Sequence, residues 1–445
     1  MINGTDSTAR LRGVVSSLGA SFFARLMVFP LTAAAALGNS SIILSVHGAP
    51  MFAVYAVATT PLQLIQFMDL GMGAGVINAI STTRENDQAR IATLVTATKL
   101  LSISTLAVIL LAGLTLITGS WADLFGVGEY GIPDLDLLIA ISIATLSLCI
   151  PLGLGQRVLV GLGRNPAVVA SGAIAPSITL AATGVLCATG APPAYLIASP
   201  ALGALVSSLM LYIWACRSLN FRARRLFTFT GTPVRSLVSQ GIAYLILSVA
   251  SMLPFQLARV FLARNNTVEA VAQFSLANQF YLPTWSFISA TGVALWPIYA
   301  RSRSAGRFEP VFVYKIAAGF AVSSIVSGGL LVLLGPRLAS VVSDGEVRPD
   351  REIFLAAAFL LLSQAGQFAL GVSLTSPRDL WFQARWASAG AVAALAGLTV
   401  TSSYAALTPY LVIAITVVVF QLLPNLGRLE QMRIRLSRHE GSVRP

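Results

Sequence analysis

Apolar runs of span length alternate with short polar breaks from one end of the chain to the other. A helix needs about 20 mostly apolar residues to cross hydrocarbon. Runs of that kind predict spans at approximately 14–43, 51–80, 91–118, 137–160, 167–189 and 194–216. A second set follows at approximately 237–262, 268–299, 311–335, 353–376, 380–401 and 405–426. Breaks are expected where turn chemistry or charge requires them: Gly38-Asn39-Ser40, Arg84 to Asp87, Gly163 to Pro166, Gly190 to Pro193, and Ser376 to Asp379. The first run follows Arg10 and Arg12, as a secretory signal would, but it is far longer than a signal core and further spans follow it, so it is read as a retained helix.

The loops between these runs alternate in basicity. One side holds Arg10, Arg12, Arg84, Arg90, Arg157, Arg164, Arg217, Arg222, Arg224, Arg225, Arg235, Arg301, Arg303, Arg307, Arg378, Arg385 and the arginines of the tail. The other holds few bases and most of the acids, among them Asp123, Glu129, Asp134, Asp136, Asp344, Glu346 and Asp350. The positive-inside rule makes the arginine-rich side cytoplasmic and puts both termini there. Composition agrees: 56% of the residues are hydrophobic and only 10% charged, where a soluble domain carries about 25% charged residues. The net charge of +12 is then a topology signal, with headgroup contact by Arg222, Arg224, Arg225 and the tail expected and no nucleic-acid partner.

Candidate chemistry is sparse. Cys149, Cys187 and Cys216 lie in apolar runs without CxxC spacing, and the two histidines, His47 and His439, lie in a short loop and the tail. Neither a metal nor a cofactor is expected from such material. Arg25 and Asp69 fall at matching depth, about 16–18 Å from the cytoplasmic side at 1.5 Å per residue. A charge there costs at least about 2.5–3.5 kcal/mol and needs a partner or a wet cavity. They either pair to hold two helices together or line a cavity in which Arg25 meets an anionic group and Asp69 orients it; the two roles are compatible. Lys99 is close enough to the cytoplasmic loop to snorkel. Arg259 and Arg264, at the external end of the seventh span, are expected to be interfacial anchors. Gln63, Gln66, Asn278 and Gln279, with Gln273, Gln364 and Gln367, either bond across helices or line a hydrated cavity.

The two sets of spans also echo one another. Trp121–Asp136 and Arg337–Glu352 are both acidic external loops, and Tyr55-Ala-Val-Ala-Thr resembles Phe274-Ser-Leu-Ala-Asn, at offsets of about half the chain. The expectation is an all-α polytopic membrane protein of about twelve helices in two six-helix lobes, residues 1–220 and 221–445.

Several of these stretches resemble the Wzx-type polysaccharide-repeat flippases, whose superfamily also holds the MATE drug exporters and the lipid II flippases. They are Tyr55-Ala-Val-Ala-Thr with Phe67-Met-Asp-Leu-Gly-Met-Gly-Ala-Gly-Val, Arg25 followed by Phe29-Pro-Leu, Leu159-Val-Gly-Leu-Gly-Arg-Asn, and Phe274-Ser-Leu-Ala-Asn-Gln through Trp296-Pro-Ile-Tyr-Ala-Arg. One departure is Ala258 before Arg259, where the family often has an Asp-Arg pair. The resemblance implies a MATE-like fold in the cell inner membrane. It also implies a flippase moving an undecaprenyl-diphosphate-linked oligosaccharide outward by alternating access, with glycan polymerase machinery as a partner. Arg25 would meet the diphosphate. The alternative is a MATE-like ion-coupled exporter of drugs or metabolites, which should show more buried acids than bases. An enzyme such as a glycan polymerase would need a long external loop carrying catalytic residues, and the external loops here are short.

Overall fold

The computed structural model describes residues 4–61, 72–73, 76–77, 80, 87–220, 242–304, 309–374 and 376–442. The predicted spans are helical over most of their described residues, the exceptions being single turns such as Thr59 and Gly153 and the end residues 372–374 and 405–407. Among the described residues, nine helices are long and apolar enough to cross a membrane. Two further long helices, Val268–Ser304 and Pro377–Thr401, occupy the eighth and eleventh predicted spans. The chain is thus an all-α polytopic membrane protein. Its outer surface says the same: on the helix Asp87–Thr118, Ile103, Leu106, Leu110, Leu114 and Ile117 are all exposed, Ile117 by 84%. Such a stripe is untenable in water and ordinary against lipid.

The helices used below are α1 (Gly4–Ala58), α2 (Asp87–Thr118), α3 (Trp121–Phe125), α4 (Leu135–Leu152), α5 (Leu154–Gly161), α6 (Asn165–Ala170), α7 (Ile174–Ala188) and α8 (Ser199–Ser218). They continue with α9 (Ile242–Asn265), α10 (Val268–Ser304), α11 (Pro310–Val342), α12 (Arg351–Gly371), α13 (Pro377–Thr401), α14 (Thr408–Val417) and α15 (Leu423–Ser442). They form two compact units: residues 1–46 with 58–242, and residues 47–57 with 243–445. Residues 47–57 thus pack within the second unit, apart from the rest of α1.

In the first unit α2, α4, α5 and α8 share a core of Leu94, Val95, Leu101, Ile150, Leu154, Val158 and Leu211. Lipid offers helices no hydrophobic drive to associate, so close backbone approach and van der Waals packing must hold them. Gly155 supplies such an approach: a methyl group there would overlap the backbone of Leu211 and Tyr212 on α8. The loop between α2 and α4 is tied rather than open. Asp136 accepts from Ala122 N–H at 2.8 Å and from Ser120 Oγ at 2.9 Å, and Trp121 Nε1 donates to Ala112 O at 3.1 Å.

The break expected at Gly38-Asn39-Ser40 does not occur; α1 runs through it. Gly38 packs against Leu180, Asn39 and Ser40 are buried, and Ser40 Oγ donates to Ala36 O at 3.1 Å, so these small polar residues serve helix packing. The bend falls instead at Gly48, with φ 76° and ψ 178°, a conformation open essentially to glycine alone. Ala49 N–H, freed by the bend, donates to Glu346 Oε2 at 3.1 Å from the α11–α12 loop. A carboxylate at the start of a helical segment satisfies an orphan donor and complements the helix dipole. His47, expected in a loop, is helical next to this bend.

Overpacking a close helix contact costs about 1–3 kcal/mol. Gly155→Val is therefore expected to lower the thermal unfolding midpoint of the detergent-solubilised protein, whereas Gly113→Val, at a glycine with open space around it, leaves it near wild type. Thermal unfolding followed by tryptophan fluorescence checks the pair.

Candidate functional site

The second unit buries an arginine. Phe255 and Arg259 are four residues apart on α9, and Phe274, Asn278 and Tyr281 recur at four and three on α10, so each set shares one helix face. Tyr410 from α14, Gln364 from α12 and Tyr55 from the segment after the Gly48 bend complete the cluster. Arg259 is only 7% exposed. Its Nη1 donates to Ala56 O at 3.3 Å, and the Tyr410 and Tyr55 hydroxyls lie close enough to interact with its charge.

The aromatic rings set the geometry. Phe274 and Tyr410 have centroids 4.8 Å apart, Phe255 and Tyr281 5.4 Å, and Tyr281 and Tyr410 5.7 Å, within the range of favourable tilted and edge contacts. Two short hydrogen bonds lock the phenols: Tyr410 to Asn278 Oδ1 at 2.5 Å and Tyr281 to Gln364 Oε1 at 2.5 Å. Both run between helices, which is the cross-helix role open to these amides from the sequence.

What remains is a surplus of donors. Asn278 Nδ2 and Ser275 Oγ are buried without a hydrogen-bond partner. Among the described residues, no carboxylate lies within ion-pair distance of Arg259; the ion pairs found there are Arg428–Asp379 and Arg433–Glu430. A guanidinium keeps its charge at any physiological pH, and a buried charge without a counter-ion is costly. The cluster is therefore cationic and favours an anionic over a cationic neighbour. A cation would meet repulsion here.

The sequence-predicted residues fare unequally. Asn278 sits in the cluster; Gln279, its neighbour on α10, is half-buried. Lys99 is exposed on α2, in the first unit. Arg25 lies on α1, where its backbone is helical. Asp69, Gln63 and Gln66 lie outside the described residues. Arg259 corrects an expectation: it is a buried member of a polar cluster and not an interfacial anchor, whereas Arg264 one turn later is exposed. Distance from the span's end placed Arg259 near the interface, but its face, shared with Phe255, decides its surroundings. Tyr281 and Tyr410 were not singled out; the repeat of Phe274, Asn278 and Tyr281 on one face was the available signal.

Residues 19–303 match the model of a family described as polysaccharide biosynthesis protein. The chain belongs to that family. It is a polytopic membrane protein of that family. Solved structures carry the same fold at low sequence identity. The lipid II flippase MurJ in its inward closed conformation is 16% identical, with a TM-score of 0.66 over 94% of this chain and 87% of that one. An inward-facing multidrug resistance MATE transporter of the MOP superfamily is 12% identical, with a TM-score of 0.63 over 95% of this chain and 100% of that one. A MOP superfamily transporter from Pyrococcus furiosus, described as having a binding pocket of reverse polarity, is 12% identical, with a TM-score of 0.59 over 95% of each chain. No curated protein matches the chain in sequence.

Removing one partner of a buried hydrogen bond costs about 1–3 kcal/mol through the group left behind. Tyr410→Phe removes the one hydrogen bond that Asn278 makes and is expected to destabilise the protein by that order. Asn278→Leu, which removes the amide altogether, should lose less when added to Tyr410→Phe than it does alone. Unfolding midpoints of the two single variants and the double variant measure this coupling.

Proposed function

We propose that this family member moves an undecaprenyl-diphosphate-linked oligosaccharide from the cytoplasmic to the external leaflet of the cell inner membrane by alternating access. The observation that carries the reading is Arg259, buried among tyrosines with no carboxylate partner among the described residues. A diphosphate is an anion rich in acceptor oxygens, and guanidinium is the side chain best matched to it. Asn278 Nδ2 and Ser275 Oγ offer further donors. Arg25, at membrane depth on α1, is the second cationic candidate, with Lys99 and Asp69 as accessory polar groups and Gln63, Gln66 and Gln279 as candidate contacts to the sugar. The prenyl tail can stay in hydrocarbon, so only the headgroup needs a polar path.

The loop arginines support cytoplasmic termini. The 1–220 and 221–445 halves are the proposed moving lobes. A MATE-like exporter of cations is the competing reading, and a buried base with no described acid beside it disfavours it. The likeness to MurJ, named as a flippase of lipid II, fits a lipid-linked substrate.

The test is a mass-spectrometric profile of cell lipids with and without the gene. Deletion is expected to accumulate a polyprenyl-diphosphate oligosaccharide. Wild type and Arg259→Lys relieve the accumulation fully and partly, while Arg259→Gln and Arg25→Gln fail to relieve it at equal membrane abundance. An unchanged lipid profile in a strain lacking any second flippase overturns the substrate assignment. Full relief by Arg259→Gln overturns the role of the arginine.

A further inference from the structure

A second basic site lies elsewhere in the second unit, at the start of α13. Arg378, Trp381, Phe382, Arg385 and Trp386 recur at spacings of three, one, three and one, which places them on one face of the helix. They line a cleft of about 520 Å³. Trp381 is 44% and Trp386 41% exposed, and both arginines are exposed. The helix face that carries Gln383, Ala384 and Ala387 is buried, with Gln383 Nε2 donating to Leu374 O at 3.1 Å. The lined face is therefore the one turned outward from the unit.

The charge balance of the cleft is lopsided. The nearest acid, Asp379, is 1% exposed and is already engaged: Arg428 Nε donates to its Oδ1 at 3.0 Å and Ser376 Oγ to its Oδ2 at 2.6 Å. The Arg428 guanidinium in turn lies 5.7 Å over the Phe382 ring. Phe382 meets Trp386 edge-on at 6.5 Å, and Trp386 meets Phe420 at 6.3 Å. These contacts fix the cleft wall and use up the local carboxylate. Among the described residues, Arg378 and Arg385 have neither an ion pair nor a hydrogen-bond partner.

We propose that this cleft binds the phosphate of an anionic phospholipid from the surrounding leaflet, with Arg378 and Arg385 as the phosphate ligands and Trp381 and Trp386 seating the glycerol and upper acyl region. Two guanidiniums without counter-ions at an aromatic-lined cleft on the exposed face of the helix attract an anion, and the bilayer supplies one at high local concentration. Tryptophan is favoured at headgroup level because one part of the ring is apolar and the other donates a hydrogen bond. A leaflet phospholipid reaches the outward face without leaving the membrane. Removing the cations should weaken the preference for anionic over zwitterionic lipid and leave general lipid contact intact.

The full-length protein is reconstituted in vesicles of phosphatidylcholine with rising phosphatidylglycerol, one or the other brominated on its acyl chains. Quenching of Trp381 and Trp386 is read as the difference between wild type and the W381F/W386F variant. The expected result is a preference for brominated phosphatidylglycerol of roughly thirtyfold, the size two arginines near an anionic surface supply. Arg378→Gln with Arg385→Gln abolishes it, either single change reduces it, and the double Lys variant keeps most of it; the single variants decide the matter if the double variant does not fold. Equal quenching by both lipids in wild type overturns the proposal, as does an undiminished preference in the Gln variants. A preference for a polyprenyl phosphate over phosphatidylglycerol of equal charge overturns the assignment to phospholipid.

Discussion

Hydrocarbon offers no hydrogen bonds, so every polar group placed in it must be satisfied by the protein or by what the protein carries. Helices meet that demand for the backbone, and the described spans are helical over most of their length. Side chains meet it pairwise: Thr105 Oγ1 donates to Ser147 O at 2.9 Å, Thr183 and Ser199 hydroxyls lie 3.0 Å apart, and the phenols of Tyr281 and Tyr410 find amides. Against that background the leftover donors around Arg259 stand apart. Their cost is the physical reason the proposed function places an anionic acceptor there.

The same constraint separates the two basic sites of the second unit. Arg259 is buried among rings that are fixed on several sides. Arg378 and Arg385 are exposed on one helix, with their acidic neighbour held by Arg428. Burial raises the stake of each interaction and favours a specific ligand, whereas exposure near the interface lowers it and favours exchangeable lipid. Charge alone would class all three arginines together.

Much of the fold was legible because span length and loop charge are one-dimensional quantities. The run at 91–118 and the stop at Ser376–Asp379, where Ser376 caps α13 and Pro377 opens it, needed no knowledge of neighbours. Gly38-Asn39-Ser40 misled for the opposite reason: residues that make turns in water make close packing in a membrane helix, and only the partner, Leu180, tells which. Arg259 misled because distance from a span's end is readable from a sequence but the facing of a residue is not. Asn278 was visible as a polar residue in an apolar run; that its oxygen is held by Tyr410 while its nitrogen is left over is a fact of three dimensions.

The bend at Gly48 gives the Arg259 site its remaining support. Arg259 donates to the carbonyl of Ala56, eight residues beyond the bend, and that carbonyl is where it is because the segment from Ala49 is a new helical start. Glu346 holds that start by accepting from Ala49 N–H, and Gly48 permits the turn that exposes the donor. The acidic α11–α12 loop that looked merely like half of a repeat therefore contributes a carboxylate that positions the backbone contact of a buried cation. A side chain at position 48 would be strained at φ 76° whatever space surrounds it. The chain thus sets its buried charge through backbone geometry, with a glycine, a carboxylate and a carbonyl in series.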